Sequence, residues 1–305
     1  MKNSPKNKLI TFIIDEVLKK GIFRFLPDKL FITFDYFITH RKIPNLQHPK
    51  TFSEKLQWIK LYGGLEKYSK YVDKYEVRNY ISETIGEKHL VPLYGVWDKF
   101  EEIDFNKLPQ QFVLKATHGS GYVFICKDKS SLDLKSLKKT TTKWLSENFY
   151  KSTREIQYNL CKPRIVCEKY LEDERGELID YKIFCFDGKP YLVEVIWDRF
   201  TDHKGDVYKD LNWKTLDISY IGVPIPKRTL KRPENLEEML EISKKLSKNL
   251  PFVRVDLYSL GNKIYFGELT FIPASGLERF NPPQIDFLFG KQIDLSKYNN
   301  KILTK

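Results

Sequence analysis

Two carboxylate side chains near the end of the chain are placed where they could hold a metal ion. Asp256 and Glu268 lie in two apolar runs that are separated by Gly261-Asn262. That dipeptide predicts a hairpin, which brings the two acids nearly opposite each other. Neighbouring carboxylates repel by roughly 1 kcal/mol or more unless a cation lies between them, and Mg²⁺ prefers such oxygen ligands. A salt bridge from Arg254, on the same strand face as Asp256, is an equally good interpretation.

A second candidate element is a glycine loop that follows a lysine. Lys115 ends a predicted strand, and His118, Gly119, Ser120 and Gly121 come next. Glycines allow backbone N–H groups to approach an anion, and the lysine adds positive charge. The order differs from the Walker pattern, in which the lysine follows the glycines and precedes a helix. A tight hairpin turn without any ligand is the commoner structure for such a loop.

A third element leaves an apolar strand and enters an acidic loop. It comprises Glu168, Lys169, Tyr170, Leu171 and Glu172. Backbone groups at this place could bracket a purine ring, and the acids could bind ribose hydroxyls. An exposed acidic turn explains the same residues equally well.

Two further lysines belong to candidate elements. Lys182 lies in an otherwise apolar strand, where a lysine is costly unless it faces a ligand or a carboxylate. Lys74 follows Asp73 early in a predicted helix, with Arg78 four residues on. Lys182 should therefore face a ligand or a carboxylate, whereas the surroundings of Lys74 assign it no role by themselves.

These residues must be positioned by a mixture of helices and hairpins. A capping box at Thr51 begins a helix that ends at Gly63-Gly64, and Asp187-Gly188 predicts a second hairpin turn. The other predicted helices cover 5–20, 69–84, 133–148 and 234–249. The predicted strands cover 111–115, 122–126, 164–171, 180–186, 189–196, 252–260 and 263–271. This order indicates an α+β fold with antiparallel sheets rather than a doubly wound parallel one.

Composition describes an ordinary globular protein. The chain has 305 residues, of which 41% are hydrophobic and 30% charged, so collagen, a disordered tail and a disulfide scaffold are excluded. The net charge of +12 is concentrated at the ends, with +6 in residues 1–50 and +3 in residues 291–305. The nearly neutral middle argues against an extended nucleic-acid groove, so no nucleic-acid partner is expected.

Cysteines and targeting patterns point to a cytoplasmic protein. The four cysteines form no CxxC pair, which disfavours zinc. Cys126, Cys167 and Cys185 lie in apolar runs, which favours buried reduced thiols. The N-terminus lacks the pattern of a signal peptide, and no apolar run is long enough to span a membrane. Residues 1–45 nevertheless combine basic and aromatic side chains, and they either pack on the body or bind an anionic membrane surface.

Taken in chain order, these elements resemble the ATP-grasp ligases over about residues 49–290, and more narrowly their TupA-like branch. The superfamily motifs are Asp73-Lys74, Lys115 with its glycine loop, Glu168-Lys-Tyr-Leu171, Asp180-Tyr-Lys182, Arg254-Val-Asp256 and Glu268-x-Thr270 before Pro273-Ala-Ser-Gly276. The branch is indicated by Thr51-Phe-Ser-Glu-Lys55, the glycine loop, Lys182-Ile-Phe-Cys-Phe-Asp-Gly188, Gly267-Glu-Leu-Thr-Phe271 and Gly276-Leu-Glu-Arg-Phe280. It occurs in bacterial loci for teichuronopeptide, capsule and O-antigen synthesis. Each motif alone is weak, but six in order are specific.

The resemblance implies a nucleotide site. It implies that Lys74 and Lys115 hold the α- and β-phosphates of ATP, and that the loop 118–121 closes over the β- and γ-phosphates as a lid. Residues 168–171 are implied to form the adenine hinge, with Glu172 or a neighbouring acid on the ribose.

The resemblance also implies a metal and catalytic site. Asp256 and Glu268 are implied to bind Mg²⁺, with Lys182 on the terminal phosphates and Arg254 stabilising an acyl phosphate or oxyanion. Thr270 stands where the family usually has an asparagine ligand. A hydroxyl binds Mg²⁺ less strongly than an amide oxygen, so one or two ions are expected.

The expected organisation has two ATP-grasp subdomains with antiparallel sheets that clasp ATP, preceded by a mostly helical region. The usual parallel-sheet domain at the start is replaced or much reduced. The expected segments are a basic helical extension (1–48), a reduced helical domain (49–108), a lid subdomain (109–168), a core subdomain with the metal site (169–290) and a basic tail (291–305).

The implied reaction activates a carboxylate with ATP as an acyl phosphate, which an amine donor then attacks to form an amide. The expected acceptor is a bacterial surface glycan or its precursor, at the inner face of the membrane. His118 is a candidate base, and a structural or phosphate-binding role is equally compatible. The alternatives are a glycosyltransferase or kinase of the same pathway, a nucleic-acid or membrane-binding module, and a degenerate scaffold.

Overall fold

The structure is a computed structural model that describes residues 24–174, 176–197, 205–221, 228 and 230–298. Within these residues the helices are α1 (Asp28–His40), α2 (Phe52–Tyr62), α3 (Ser69–Val72), α4 (Val77–Ile85), α5 (Leu134–Ser146), α6 (Phe149–Thr153), α7 (Leu236–Leu246) and α8 (Gln284–Gln292). The strands are β1 (Leu93–Trp97), β2 (Phe112–Ala116), β3 (Val123–Cys126), β4 (Ile165–Lys169), β5 (Asp180–Phe186), β6 (Lys189–Trp197), β7 (Gly205–Lys209), β8 (Ser219–Tyr220), β9 (Phe252–Leu260), β10 (Lys263–Thr270) and β11 (Phe280–Asn281).

The larger sheet, called here the core sheet, has the strand order β10-β9-β5-β6-β7 with antiparallel neighbours. Both predicted hairpins are confirmed, since Asp187-Gly188 joins β5 to β6 and Gly261-Asn262 joins β9 to β10. Asp187 and Gly188 have φ angles of 51° and 71°, the left-handed conformation that a two-residue hairpin turn requires. Paired antiparallel hairpins with flanking helices confirm the α+β class.

Apolar helices cover the core sheet. On one face, α7 buries Leu236, Met239 and Ile242 against β5, β6 and β9. Phe52 of α2 also packs on the core sheet, with its ring centroid 5.2 Å from that of Phe252 and 5.7 Å from that of Phe289 in α8. Large aromatic rings supply much of the apolar area buried here, and they hold the strands in a fixed frame.

The smaller sheet, called here the lid sheet, has the order β1-β4-β2-β3. It has its own hydrophobic cluster, in which Phe112 and Leu114 of β2 pack with Cys167 of β4 and Leu137 of α5. The glycine loop 117–121 connects β2 to β3, as the hairpin prediction requires. The loop is therefore carried by a layer whose core is separate from that of the core sheet.

The secondary-structure prediction was wrong over 69–84 and incomplete elsewhere, since helices α6 and α8 and the two-residue strands β8 and β11 were among the elements that it left out. The single helix predicted over 69–84 is interrupted, because the Asp73 carboxylate accepts hydrogen bonds from the backbone N–H groups of Tyr75 (2.8 Å) and Glu76 (3.0 Å) and so starts α4 anew. Strands β1 and β7 were not predicted. Both are short edge strands of their sheets, and β1 pairs with β4 of the lid sheet although it precedes residue 109.

The N-terminal prediction is tested in part. The helix predicted over 5–20 lies outside the described residues, whereas α1 is described and buries Phe31 and Tyr36. The hydroxyl of Tyr36 lies 3.1 Å from that of Ser53 in α2, so one face of α1 packs on the body. The predicted capping box at Thr51 is present. No helix within the described ranges is long and apolar enough to cross a bilayer.

The cysteines are free thiols. Cys126, Cys161, Cys167 and Cys185 are all buried and form no disulfide, which confirms the buried thiols predicted for Cys126, Cys167 and Cys185. Burial raises the pKa of Cys161, Cys167 and Cys185 to about 12, because a buried thiolate lacks solvation. Such thiols act as small apolar side chains rather than as nucleophiles.

Candidate functional site

A row of polar side chains crosses the core sheet. In the strand register, Glu268 of β10 pairs with Asp256 of β9, Asp256 with Lys182 of β5, Lys182 with Glu194 of β6, and Glu194 with Tyr208 of β7. Directly paired residues of neighbouring strands project from the same face of a sheet. The five side chains therefore form one line, and the predicted pairing of Asp256 with Glu268 is confirmed.

Asp256 is the centre of a buried ion-pair network. Its Oδ1 accepts a hydrogen bond from Arg254 Nε at 2.7 Å, and its Oδ2 accepts one from Arg254 Nη2 at 2.8 Å and another from Lys182. Lys182 Nζ also lies 3.1 Å from Asp180 Oδ2. The lone lysine of an apolar strand thus faces carboxylates, as its position predicts.

The network keeps Arg254 charged. Burial opposes the charge of the guanidinium, but the adjacent Asp256 carboxylate outweighs this and raises the pKa of Arg254 above its ordinary value. The salt bridge considered as an alternative to metal binding is therefore present. Glu268 remains a candidate metal ligand, because its side chain is only partly buried.

Glu268 and Thr270 form the outer edge of this network. Thr270 Oγ1 donates to Glu268 Oε1 at 3.3 Å, and Arg254 Nη2 lies 3.6 Å from the same oxygen. Two carboxylates and a hydroxyl are oxygen donors of the kind that Mg²⁺ accepts, so the residues fit a magnesium ion chemically. Within the described residues, no group of three or more His, Cys, Asp or Glu side chains is arranged to hold a metal. An ion here needs additional ligands, which Mg²⁺ commonly takes from water and phosphate.

The lid sheet contains a second charged cluster. Lys115 Nζ of β2 lies 2.6 Å from Glu168 Oε2 of β4, and Arg78 Nη1 of α4 lies 3.4 Å from Glu168 Oε1. Glu168 is buried, so the interpretation of an exposed acidic turn does not hold for this residue. Two residues that the resemblance assigns to phosphate and adenine are thus paired with each other.

Lys74 lies near charged residues of both sheets. Its Nζ donates a hydrogen bond of 2.6 Å to the carbonyl oxygen of Gly119 in the glycine loop. Burial lowers the pKa of Lys74, and Glu268 of the core sheet and Lys115 and Glu168 of the lid sheet are close enough to influence it. This lysine therefore lies among the predicted phosphate and metal residues.

His118 is held inside the lid. Its Nε2 lies 3.0 Å from the carbonyl oxygen of Trp144 and 3.2 Å from that of Glu147, at the end of α5. Burial lowers the pKa of His118, so the ring is neutral near pH 7. These contacts favour the structural role over that of a base. Gly121, with φ 80°, permits the tight return of the loop, and Ser120 is exposed beside it.

The predicted hinge lies where β4 ends. The Lys169 backbone N–H donates to the carbonyl oxygen of Pro92 at 2.9 Å, and Tyr170 donates to Glu172 Oε2 at 2.9 Å. Leu171 is buried and Glu172 is exposed. The segment is thus anchored at its start and open to solvent at its end.

A pocket of about 380 Å³ opens between the glycine loop and the core sheet. Of the predicted residues, it brings together Ser120, Lys182, Arg254, Glu268 and Thr270. Asp256 lies buried beside these residues, and the hinge and Lys115 do not line this pocket. The volume suits a small-molecule ligand.

Several residues of the pocket were missed by sequence reasoning. They are Glu155, Tyr158, Glu194, Asp206, Tyr220 and Glu278. Glu194 had a usable signal, because it is a lone acid in the apolar run of β6, as Lys182 is a lone base in β5. Glu278 also had a signal, because it lies in the motif Gly276-Leu-Glu-Arg-Phe280, whereas the remaining four lie in segments of ordinary polar composition.

Several solved structures are similar to this chain. D-alanine–D-alanine ligase from Bacillus anthracis aligns at 22% identity over 66% of this chain and 56% of its own, with a TM-score of 0.38. The same ligase complexed with ATP aligns at 18% identity over 88% and 82%, with a TM-score of 0.41. A RimK domain ATP-grasp protein from Sphaerobacter thermophilus DSM 20745 aligns at 9% identity over 76% and 70%, with a TM-score of 0.42. The match thus spans little more than half of the first ligase, and these similarities carry no functional assignment.

The family is established by sequence. A family model described as TupA-like ATPgrasp matches residues 54–294, which is most of the chain. No curated protein matches. The family match confirms the resemblance drawn from the motifs and the ATP-grasp fold, and it supports an ATP-dependent ligase. This chain belongs to the TupA-like ATP-grasp family.

Proposed function

We propose that this chain is an ATP-dependent carboxylate–amine ligase that forms an amide through an acyl phosphate. The observation that carries this proposal is the convergence of Lys182, Arg254 and Glu268 with Ser120 of the glycine loop on one pocket. Cations and a partly exposed carboxylate at one place suit a reaction in which phosphate charge must be neutralised. Membership of the ATP-grasp family supports the same reaction class.

In this proposal the lid sheet binds the nucleotide. Lys115 and Lys74 bind the α- and β-phosphates, which compete with the present partners Glu168 and the Gly119 carbonyl. The loop 118–121 closes over the terminal phosphates, and residues 168–172 bind adenine and ribose. Buried His118 positions this loop through its carbonyl contacts rather than transferring a proton.

Asp256, Glu268 and Thr270 hold one or two Mg²⁺ ions. When bound, the metal neutralises phosphate charge during transfer of the phosphoryl group. Lys182 lies beside Asp256 in the register and is placed to contact the terminal phosphates. Asp256 is already paired with Arg254 and Lys182, and a carboxylate paired with two cations binds a metal weakly. Glu268 is therefore the main metal ligand.

Arg254 and Lys182 address the main barrier of the first step, which is the approach of a carboxylate to the negatively charged γ-phosphate. Because Arg254 remains charged in its buried position, it stabilises the acyl phosphate without reorganisation. ADP leaves, the neutral amine attacks the acyl carbon, and phosphate departs as the amide forms. Positioning of the reactants in the pocket supplies the rest of the rate gain.

The acceptor that we propose is a bacterial cell-surface polysaccharide or its lipid-linked or nucleotide-linked precursor. Its uronic acid, or an amino acid joined to it, supplies the carboxylate. The support for this assignment is the TupA-like branch alone.

The segments that we propose for the chain remain 1–48, 49–108, 109–168, 169–290 and 291–305, with β1 added to the lid sheet.

The nucleotide site is tested by calorimetry. We expect ATP to bind only with Mg²⁺, and Glu268→Ala to abolish the Mg²⁺-dependent binding because it removes the main ligand. Glu241→Ala, on the exposed face of α7, is the matched control and should bind as the wild type does. If UDP-sugars bind and ATP does not, the chain is a glycosyltransferase and the ligase proposal is wrong. Hydroxamate formation with a set of uronic acids then narrows the carboxylate substrate.

We also propose that the N-terminal part touches an anionic membrane. Phe25, Leu30, Phe37 and Ile43 are exposed apolar side chains in a segment with net positive charge. Because α1 also buries side chains on the body, its deletion is a poor test. Phe25→Ser with Phe37→Ser should lower binding to phosphatidylserine vesicles and leave ATP binding intact. Unchanged vesicle binding would rule this surface out.

A further inference from the structure

The inner part of the pocket is rich in carboxylates. Among the described residues, five acids and two cationic side chains, Lys182 and Arg254, line it. Both cations are already engaged with Asp256, and Lys182 also with Asp180. The lining acids are Glu155, Glu194, Asp206, Glu268 and Glu278. Among the described residues that line the pocket, acids therefore outnumber cations.

Glu194 is the best-defined of these acids. It is 2% exposed, and its Oε1 accepts hydrogen bonds from Tyr220 at 2.8 Å and from Tyr208 at 3.3 Å. Its other oxygen, Oε2, is buried and has no hydrogen-bond partner among the described residues. A buried carboxylate oxygen without a partner is costly, and a ligand that donates to it relieves that cost. Two tyrosines thus fix the carboxylate while one oxygen stays available.

Glu278 and Glu155 flank the same space. Among the described residues, neither has a lysine or arginine within 4.0 Å, and Glu278 Oε2 is a second buried oxygen without a hydrogen-bond partner. Burial raises the pKa of Glu278 to about 7, with Glu194 adding to this effect. Burial likewise raises the pKa of Glu155 to about 7. Lys60 partly compensates the charge of Glu155, and Arg254 and Lys182 partly compensate that of Glu278. Three acids that line one pocket still favour the binding of a positive ligand. Glu155, Glu194 and Glu278 are called here the acidic wall.

We propose that the acidic wall binds the primary ammonium group of the amine substrate and takes up the proton that this group loses before the neutral amine attacks, and that this substrate has no carboxylate beside its amine. An amino sugar or a diamine has this chemistry, and a free amino acid does not. The inference rests on the proposed ligase function and identifies the second substrate of the same pocket.

The charges of the pocket explain the preference. The carboxylate of a free amino acid would lie within a few ångströms of the acidic wall, where like charges repel strongly at low dielectric. In the proposed reaction Lys182 and Arg254 serve the terminal phosphate and the acyl phosphate, so they are not available to the carboxylate of a second substrate. A divalent metal is the competing occupant, but no metal-binding group of three such side chains occurs in the described ranges.

The test is calorimetric titration of the full chain with putrescine, glucosamine and alanine. We expect saturable binding of putrescine or glucosamine, and alanine at least about tenfold weaker. Glu194→Gln and Glu278→Gln, which keep the shape and remove the charge, should each weaken amine binding about tenfold. Glu241→Gln on the surface should not. Tyr220→Phe removes a hydrogen bond but keeps the charge of Glu194, so it should retain most of the binding; melting curves verify that each variant is folded.

Three outcomes would overturn the inference: neither amine binds, alanine binds as well as putrescine and glucosamine do, or both Gln variants bind like the wild type. The variant Glu268→Ala lacks the proposed main metal ligand. If MgCl₂ alone still displaces putrescine from this variant, the acidic wall binds a metal and the inference is overturned. Titration of Mg·ATP on the same samples separates the two proposals. Normal nucleotide binding without amine binding contradicts only this inference, whereas absent nucleotide binding contradicts the ligase proposal.

Discussion

The core sheet and the lid sheet both hold charged side chains, but they hold them differently. On the core sheet, the side chains of Lys182 and Asp256 are 3% and 2% exposed and belong to a network drawn from neighbouring strands. On the lid sheet, Lys115 and Glu168 are 18% and 10% exposed and form a smaller cluster with Arg78. The buried, mutually paired charges of the core sheet have fixed positions before a ligand binds. The more exposed charges of the lid sheet can leave their present partners and pair with the ligand.

The largest difference in unfolding free energy between variants of the two sheets should come from Asp256→Ala. It leaves Lys182 and Arg254 buried with one acid fewer, and loss of one member of such a network costs about 3–5 kcal/mol. Glu168→Ala on the lid sheet should cost less, because water reaches Lys115. Urea denaturation of both variants measures the difference. If both variants lose the same free energy of unfolding, the two charged clusters do not differ in the way proposed.

The hydrophobic clusters offer a second test. Leu137→Ala removes a buried side chain from the lid cluster and should cost about 2–5 kcal/mol within that layer. Because the cluster is separate, we expect hydrogen exchange to accelerate in β2 and β3 while β5 and β9 remain protected. Ile242→Ala in α7 is the matched change on the core sheet, and it should affect β5 and β9 instead. Uniform acceleration in both sheets would show that the layers unfold together.

A pH effect should arise from the buried acids of the pocket. Burial raises the pKa of Glu155 from 4.5 to about 7, so between these pH values the folded chain holds a proton that the unfolded chain has lost. Stability should therefore fall as pH rises through this window, by about 3 kcal/mol from this group. Glu155→Gln should remove this part of the dependence, whereas Glu241→Gln should not. Parallel pH profiles for wild type and Glu155→Gln would exclude the effect.

The smallest expected difference concerns helix caps. Thr51 caps α2 in a buried capping box, and Asp133 caps α5 of the lid through the backbone N–H of Ser136. Replacing either residue with alanine should cost about 1 kcal/mol. The loss should be larger at Thr51, whose hydroxyl also lies 3.1 Å from that of Ser53. Thermal melting of the two variants provides the comparison, and a larger loss at Asp133 would reverse it.

Features encoded within a few residues were predictable. The turn dipeptides identified both hairpins of the core sheet, and the alternation of a strand placed Arg254 and Asp256 on one face. The six ordered motifs identified the family. Strand β7 was missed because it is short and sits at an edge of the core sheet, where the apolar pattern is weak. The break at Asp73 was missed because a side-chain cap inside a helical pattern changes no periodicity.

By itself the sequence determined the hairpins, the pairing of Asp256 with Glu268 and the need of Lys182 for a ligand or a carboxylate partner. These follow from turn geometry and from the cost of an isolated buried charge, which act over short stretches of chain. Only the tertiary structure decided that β5 lies between β9 and β6, so that Lys182 separates Asp256 from Glu194. It alone also placed Lys115 beside Glu168 and gathered the acidic wall. Strand order and the convergence of distant loops depend on how apolar faces pack across the whole molecule, and no local pattern records that.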